Sequence, residues 1–283
     1  MLAVVSAHFN FDSGYLKPVQ NLDITSAVWK STGVPYFVAE ACYHDQRLEY
    51  PRADLRIPAD SALWYKESLI NAMVRQLPPE YTDIIVTDSD ILWRDMHWVQ
   101  TVPALLRQVP MVQLWTRMQD LSEHGAVNQT SWSRGSRPVE YGYFGAMAFH
   151  REFFDFIGLY DKLVTGPNDV VLTGGLEGDT NVSVIHELRK LGNTALADDA
   201  ASWVERAHRY LRGDILCLNE TVQHLWHGDK VNRSYSQRQN LISRLDPEKD
   251  LIRTHEGLLS FQDVEKKPHL QSIEDYFLTS MHH

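Results

Sequence analysis

Two aspartates one residue apart, Asp88 and Asp90, close the apolar run Ile84-Ile85-Val86. An apolar strand that ends in bare acid needs a reason, because a buried, unpaired carboxylate is costly. Two carboxylates so placed can grip a divalent cation from one side and leave its other positions to phosphate oxygens. Turns and helix caps use the same residue types, so the pair alone does not separate metal binding from a structural role.

Three further clusters bear on that chemistry. In His224-Leu225-Trp226-His227-Gly228, an extended backbone points residues i and i+3 to opposite faces, so the two imidazoles are expected to do different jobs. A histidine at the edge of a carboxylate pair can complete a metal site, although core histidines bonded to backbone are common. In Gly166-Pro167-Asn168-Asp169, Asp169 follows a turn, which suits a helix cap or a carboxylate acting as general base. Gly142-Tyr143-Phe144-Gly145-Ala146-Met147-Ala148 mixes small and aromatic residues, as a backbone approached closely by a ligand or a tightly packed strand would. Arg233, Tyr235 and Arg238 follow the histidines and could pair with diphosphate oxygens.

These residues need elements to position them. Leu2–Ala7, Pro35–Ala39, Asp83–Thr87 and Met111–Trp115 are apolar, β-branched runs that predict strands. Tyr15–Lys30 predicts a helix interrupted early by Pro18. Ser61–Gln76 predicts the clearest one, capped by Asp60 or Ser61 and stopped by Pro78-Pro79. Trp98–Gln108 predicts another, and strand–helix alternation at this spacing predicts a mostly parallel sheet with helices on both faces. Ligands of such sheets bind beyond the carboxyl ends of the strands, where Asp88 and Asp90 fall. Thr116–Glu140 is polar without a clean period and reads as a long functional loop, with Trp132 partly exposed. After a strand Tyr143–Phe149 and a helix Arg151–Ile157, helices are predicted near Asn181–Leu191 and Ala200–Leu211. Short strands follow near Ile215–Leu218 and Val222–Trp226.

The chain has 283 residues, 43% of them hydrophobic, enough for one large domain with a full core. Two cysteines, Cys42 and Cys217, make no disulfide framework and fit a reducing compartment. No basic leader or bilayer-length apolar stretch is evident, so a cytoplasmic protein is expected. The formal net charge of −10 argues against a broad grip on nucleic acid, although residues 204–244 carry a local basic excess.

Taken in order from Leu2 to Arg238, these clusters resemble the GT-A glycosyltransferases that use nucleotide sugars, in particular their galactosyltransferase-like branch. Ala148-Phe149-His150-Arg151-Glu152-Phe153-Phe154 looks like that branch's acceptor-side segment, and Gly158-Leu159-Tyr160-Asp161 with Gly166–Asp169 like its following glycine-rich stretch. Pro167 and Asn168 stand where the branch usually has glycines. The resemblance implies a GT-A type α/β fold over residues 1–240, with a helical extension over 241–283 packed on it. It implies Mn²⁺ or Mg²⁺ held by Asp88, Asp90 and His227. The end of the first strand (Ala7, His8, Asn10), with Asp88, Ser89, Arg233 and Arg238, would face the nucleoside diphosphate, and Asp169 would serve catalysis on the acceptor side. The reaction implied is sugar transfer from a nucleotide-diphosphate sugar to a hydroxyl of a saccharide, with hydroxymethylated pyrimidines in DNA as the other acceptor. A nucleotidyltransferase would carry a cationic glycine-rich loop after the first strand, and Asn10–Tyr15 has one glycine and no cation. A binding protein that kept the fold without the chemistry is the remaining alternative.

Overall fold

The computed structural model describes residues 1–11, 15–43, 50–132, 145–228 and 235–280. Arg233 and the stretch Gly142–Phe144 lie outside them, as does the side chain of Tyr235. The chain opens with β1 (Leu2–Phe9), α1 (Lys17–Ser31), β2 (Tyr36–Tyr43), β3 (Leu55–Ala59), α2 (Lys66–Gln76) and β4 (Asp83–Thr87). A short β5 (Ile91–Trp93), a 3₁₀ turn, α3 (Val102–Leu106) and β6 (Met111–Gln113) lead to β7 (Arg117–Leu121) and β8 (Val127–Trp132). Then come β9 (Ala146–His150), α4 (Arg151–Phe156), α5 (Asn168–Glu177), α6 (Ser183–Lys190) and α7 (Thr194–Leu211). β10 (Ile215–Cys217), β11 (Thr221–His224), α8 (Tyr235–Leu241), β12 (Leu251–Arg253), β13 (Leu259–Phe261) and α9 (Pro268–Ser280) complete the described chain.

Seven strands form the central sheet in the order β10-β6-β9-β4-β1-β2-β3, with β9 antiparallel to both neighbours and the other pairings parallel. The mostly parallel α/β sheet expected from the strand–helix alternation is therefore present. Its strands are apolar on both faces because both faces are covered. In β1, Ala3 and Val5 enter one core with α2, α5, α6, α7 and α9, while Val4 enters a second core with α1 and α3. β4 divides the same way, Ile84 and Val86 against Ile85. The second core holds Trp29, Trp93 and Trp98 in mutual ring contact at 5.4–6.1 Å, so these tryptophans pack rather than bind.

Three local expectations need correction. Pro18 does not interrupt α1 but sits in its first turn, where a missing N–H costs nothing. Asp60 and Ser61 do not cap α2, which starts at Lys66. The Ser61 hydroxyl instead accepts the Phe261 N–H at 3.1 Å and so ties β13 to this loop. Within the supposed loop Thr116–Glu140, the described part is the hairpin β7–β8, which joins β5 and β11 in a four-stranded sheet of order β5-β11-β7-β8. β8 is exposed along nearly all its length, Trp132 by 38%, so no apolar alternation marks it.

Candidate metal centre

The site is assembled where β4 runs out. Thr87 is the last buried residue of the strand, and the Asp88 N–H then donates to the Gly145 carbonyl at 2.7 Å. Gly145 has φ +43, and a Cβ there would lie 2.7 Å from the end of the Met118 side chain, so the position favours glycine. The Thr25 hydroxyl of α1 donates to the Ser89 carbonyl at 2.9 Å, which fixes the turn between the two acids.

Strand register brings the partners of Asp90. His224, the last residue of β11, lies opposite Ile91 of β5 on one side and Asp120 of β7 on the other. Its Nε2 is 3.5 Å from Asp90 Oδ2, and its Nδ1 is 2.9 Å from Asp120 Oδ1. His227 was expected on the opposite face, yet its Nε2 lies 3.2 Å from Asp90 Oδ2 and 3.2 Å from His224 Nε2. The extended backbone stops at His224, and the chain then turns. Asn21 of α1 donates to the Trp226 carbonyl at 3.1 Å and holds that turn. One atom from each of Asp90, His224 and His227 falls within a 4.8 Å circle of the others. Asp88, named with Asp90 and His227 as a ligand, lies outside this set, and its carboxylate pairs with Lys66 Nζ at 2.9 Å.

Two imidazoles and one carboxylate are a donor set suited to first-row transition ions, whereas Mg²⁺ prefers oxygen donors alone. Asp120 supplies the outer contact that orients a ligating histidine by holding its second nitrogen. Burial opposes the charged form of His224, but the Asp90 and Asp120 carboxylates outweigh it and push its pKa up to about 10. The same negative potential would favour a metal cation, which would displace the proton from the ligating nitrogen.

Beside this cluster is a small cavity of about 20 Å³, room for a water. Lys66, Glu67, Asp88, Asn168 and Asp169 line it with Gly145 and Tyr160. Burial raises the Asp88 and Asp169 pKa values against the pull of Lys66, and each is raised further by a neighbouring carboxylate. Burial likewise pushes Glu67 up to about 7, again opposed by Lys66. Lys66 loses solvation too, but Asp88, Glu67 and Asp169 more than compensate and hold it protonated. Asn168, at a position where the resembled branch has glycine, is buried and donates to Glu67 Oε2 at 3.0 Å. It also accepts the Leu163 N–H at 3.2 Å, so it braces the loop that leads into α5, whose first turn carries Asp169.

The remaining candidates are spread more widely. Ala7 and His8 lie near the end of β1, His8 being buried with its ring 6.5 Å from that of Tyr50. Asn10 donates to the Tyr15 carbonyl at 3.0 Å. Arg238 is buried, its Nε donating to the Tyr276 hydroxyl at 2.8 Å and its Nη1 to the Thr165 carbonyl at 3.3 Å. Its guanidinium also lies over the Trp64 ring, 5.6 Å from the centroid.

Compared with known proteins, the sequence matches no family model and no curated protein. Among solved structures, a Drosophila β-1,4-galactosyltransferase 7 variant in complex with manganese, UDP-Gal and xylobiose is similar at 12% identity and a TM-score of 0.43. The likeness covers 95% of this chain and 98% of that one. A glycosyltransferase involved in glycosylating the major capsid of PBCV-1 is similar at 11% identity and a TM-score of 0.37, over 85% of this chain and 98% of that one. A 4-diphosphocytidyl-2C-methyl-D-erythritol synthase from Anaerococcus prevotii is similar at 12% identity and a TM-score of 0.38, over 78% and 89%. At such scores the chemistry rests on the side chains themselves.

Proposed function

We propose that this protein is a metal-dependent glycosyltransferase that moves a sugar from a nucleoside-diphosphate sugar to an acceptor hydroxyl. The observation that carries this reading is the meeting of Asp90, His224 and His227 at the carboxyl end of β4, directly beside the acidic pocket of Asp88, Asp169 and Lys66. Such a transfer needs both functions side by side, one for the departing diphosphate and one for the incoming hydroxyl.

In this reading Asp90, His224 and His227 hold the ion, and the donor set favours Mn²⁺ over Mg²⁺. When bound, the ion supplies electrostatic stabilisation of charge on the leaving diphosphate. Asp120 keeps the His224 Nε2 directed at the site. Asp88 and Ser89, with the end of β1 at Ala7, His8 and Asn10, face the nucleotide. Asp169 takes the proton of the acceptor hydroxyl, a task helped by its raised pKa. The acceptor we favour is a saccharide, since a chain of net charge −10 is poorly suited to gripping DNA. No described helix is long and apolar enough to cross a membrane, and a cytoplasmic setting remains part of the proposal.

Mn²⁺ titration of Asp90→Ala and His227→Ala tests the metal assignment. Each substitution should weaken binding by about 10–100-fold or more and abolish most sugar transfer. Undiminished affinity and turnover in both would overturn it. Asp169→Asn should keep Mn²⁺ affinity while transfer falls by about 10²–10⁴-fold. Radiolabelled sugar offered with a saccharide or with hydroxymethylated DNA identifies the acceptor class.

A further inference from the structure

A second cavity, of about 210 Å³, shares only Leu159 and Tyr160 with the acidic pocket. Its charged lining is Arg75, Lys162, Arg206 and Arg253 against Asp161 and Asp199, an excess of cations in a chain that is acidic overall. Both carboxylates are already engaged. Asp161 accepts from Arg253 at 2.9 and 3.0 Å, and Asp199 accepts from Lys162 at 2.6 Å and the Tyr160 hydroxyl at 3.0 Å. Among the described residues, neither Arg75 nor Arg206 has an ion-pair partner. Arg206, among the described residues, donates to the Ser202 hydroxyl, at 3.2 Å. The Arg75 pKa is lowered, chiefly by partial burial and then by the nearby charge of Arg253, with Asp161 opposing both.

The frame around these cations is fixed. Asn71 clamps Leu159 from both sides, donating to its carbonyl at 2.8 Å and accepting its N–H at 2.9 Å. The Trp203 indole donates to the Gly158 carbonyl at 3.2 Å. A fixed backbone that carries guanidinium forks without ion-pair partners is an arrangement that can bind oxyanions.

We infer that this cavity is a binding site for a phosphate-class oxyanion, separate from the metal centre and independent of the reaction proposed there. Arg75 and Arg206 supply the open donors, and Arg253 and Lys162 add charge from positions fixed by their own carboxylates. The cavity has room for more than a bare ion, so a phosphate monoester fits as well as inorganic phosphate.

Calorimetric titration of the full chain with inorganic phosphate, in metal-free buffer at constant ionic strength, tests the site. Arg75→Ala and Arg206→Ala should each weaken binding by about tenfold or more, with Mn²⁺ affinity unchanged. Asp199→Asn should tighten it, since the substitution removes a carboxylate and releases Lys162. A parallel titration with glucose 6-phosphate separates the sources. Tighter binding than inorganic phosphate marks a phosphate carried on a larger molecule, and equal binding marks the free ion. Absence of phosphate binding, binding unchanged in both arginine variants, or weaker binding in Asp199→Asn overturns the inference. Circular dichroism melts of the variants, in which these exposed arginines should matter little, exclude misfolding as the cause.

Discussion

Carboxylates in two regions of this molecule are driven in opposite directions. Around Lys66, burial and mutual repulsion raise Asp88, Asp169 and Glu67 above their ordinary pKa values. In the C-terminal segment the acids are interleaved with cations and backbone donors, and Asp246 and Asp250 are lowered. The first region crowds like charges and is left short of positive partners; the second surrounds Asp250 with donors as it is buried. In the proposed function, a pocket that takes up a proton beside a metal site holds unbalanced charge in the absence of ligand, whereas a structural anchor has no reason to. If that distinction is right, neutralising an acid should have opposite effects on stability in the two places.

The largest effect is expected at Asp161, which lies before α5 but anchors the C-terminal segment through Arg253. It is 5% exposed and accepts two of the three hydrogen bonds of the Arg253 guanidinium, the third going to the Gly257 carbonyl, and so joins β12 to the loop before α5. Asp161→Asn should cost about 2–3 kcal/mol in urea unfolding, toward the low end for a broken buried pair because Arg253 retains access to water. Mn²⁺ affinity should be unaffected. A neutral result would remove the anchor side of the comparison.

How much of this was legible beforehand follows from the same packing. The acid-tipped strand β4 stands out because burial on both faces makes its body continuously apolar, and the mostly parallel sheet follows from strands of that kind alternating with helices. The two histidines stand out as a pair, but their convergence does not. It depends on β11 ending at His224 and on Asn21, some two hundred positions away in the chain, holding the turn. Asp120 is hidden because its hairpin is largely solvent-exposed and therefore carries no apolar alternation. Lys66 and Glu67 look like any charged pair opening a surface helix, and nothing local says that α2 begins inside a pocket. Arg238 has the chemistry of a phosphate ligand, yet its bond to Tyr276 comes from a helix whose docking the local pattern does not encode.

A smaller effect, of opposite sign, is expected at Glu67. Its Oε2 accepts from the Trp64 indole and from Asn168, both at 3.0 Å, and a glutamine carbonyl can accept both. The folded-state pKa is about 7, above the unfolded value, so ionisation costs stability as pH rises through this range and the full penalty applies above it. Glu67→Gln should therefore stabilise the protein by about 1–2 kcal/mol at pH 8 and by little at pH 5. Thermal melts at the two pH values measure the difference. Destabilisation at pH 8 would show that Lys66 needs this charge more than burial resists it, and the contrast between the regions would fail on its pocket side.

The smallest and sharpest test is the acid limb at Asp250. This buried carboxylate accepts the Asp246 N–H at 2.8 Å, Lys267 at 2.6 Å and His269 at 3.2 Å. Burial works against the charge, but these donors outweigh it and keep the pKa below the usual carboxylate range. A group whose folded pKa is depressed contributes stability that is complete above its unfolded pKa, about 3.9, and lost as pH falls through the folded one. Wild type should thus exceed Asp250→Asn by about 1 kcal/mol or less at pH 7, since Lys267 and His269 are partly solvated. The gap should close as pH falls from about 4.5 toward 2.5. Subtracting the variant's urea midpoints from wild type at each pH isolates the one carboxylate, and a difference that persists undiminished at the acid end would mean that the Asp250 contacts act through shape and not charge.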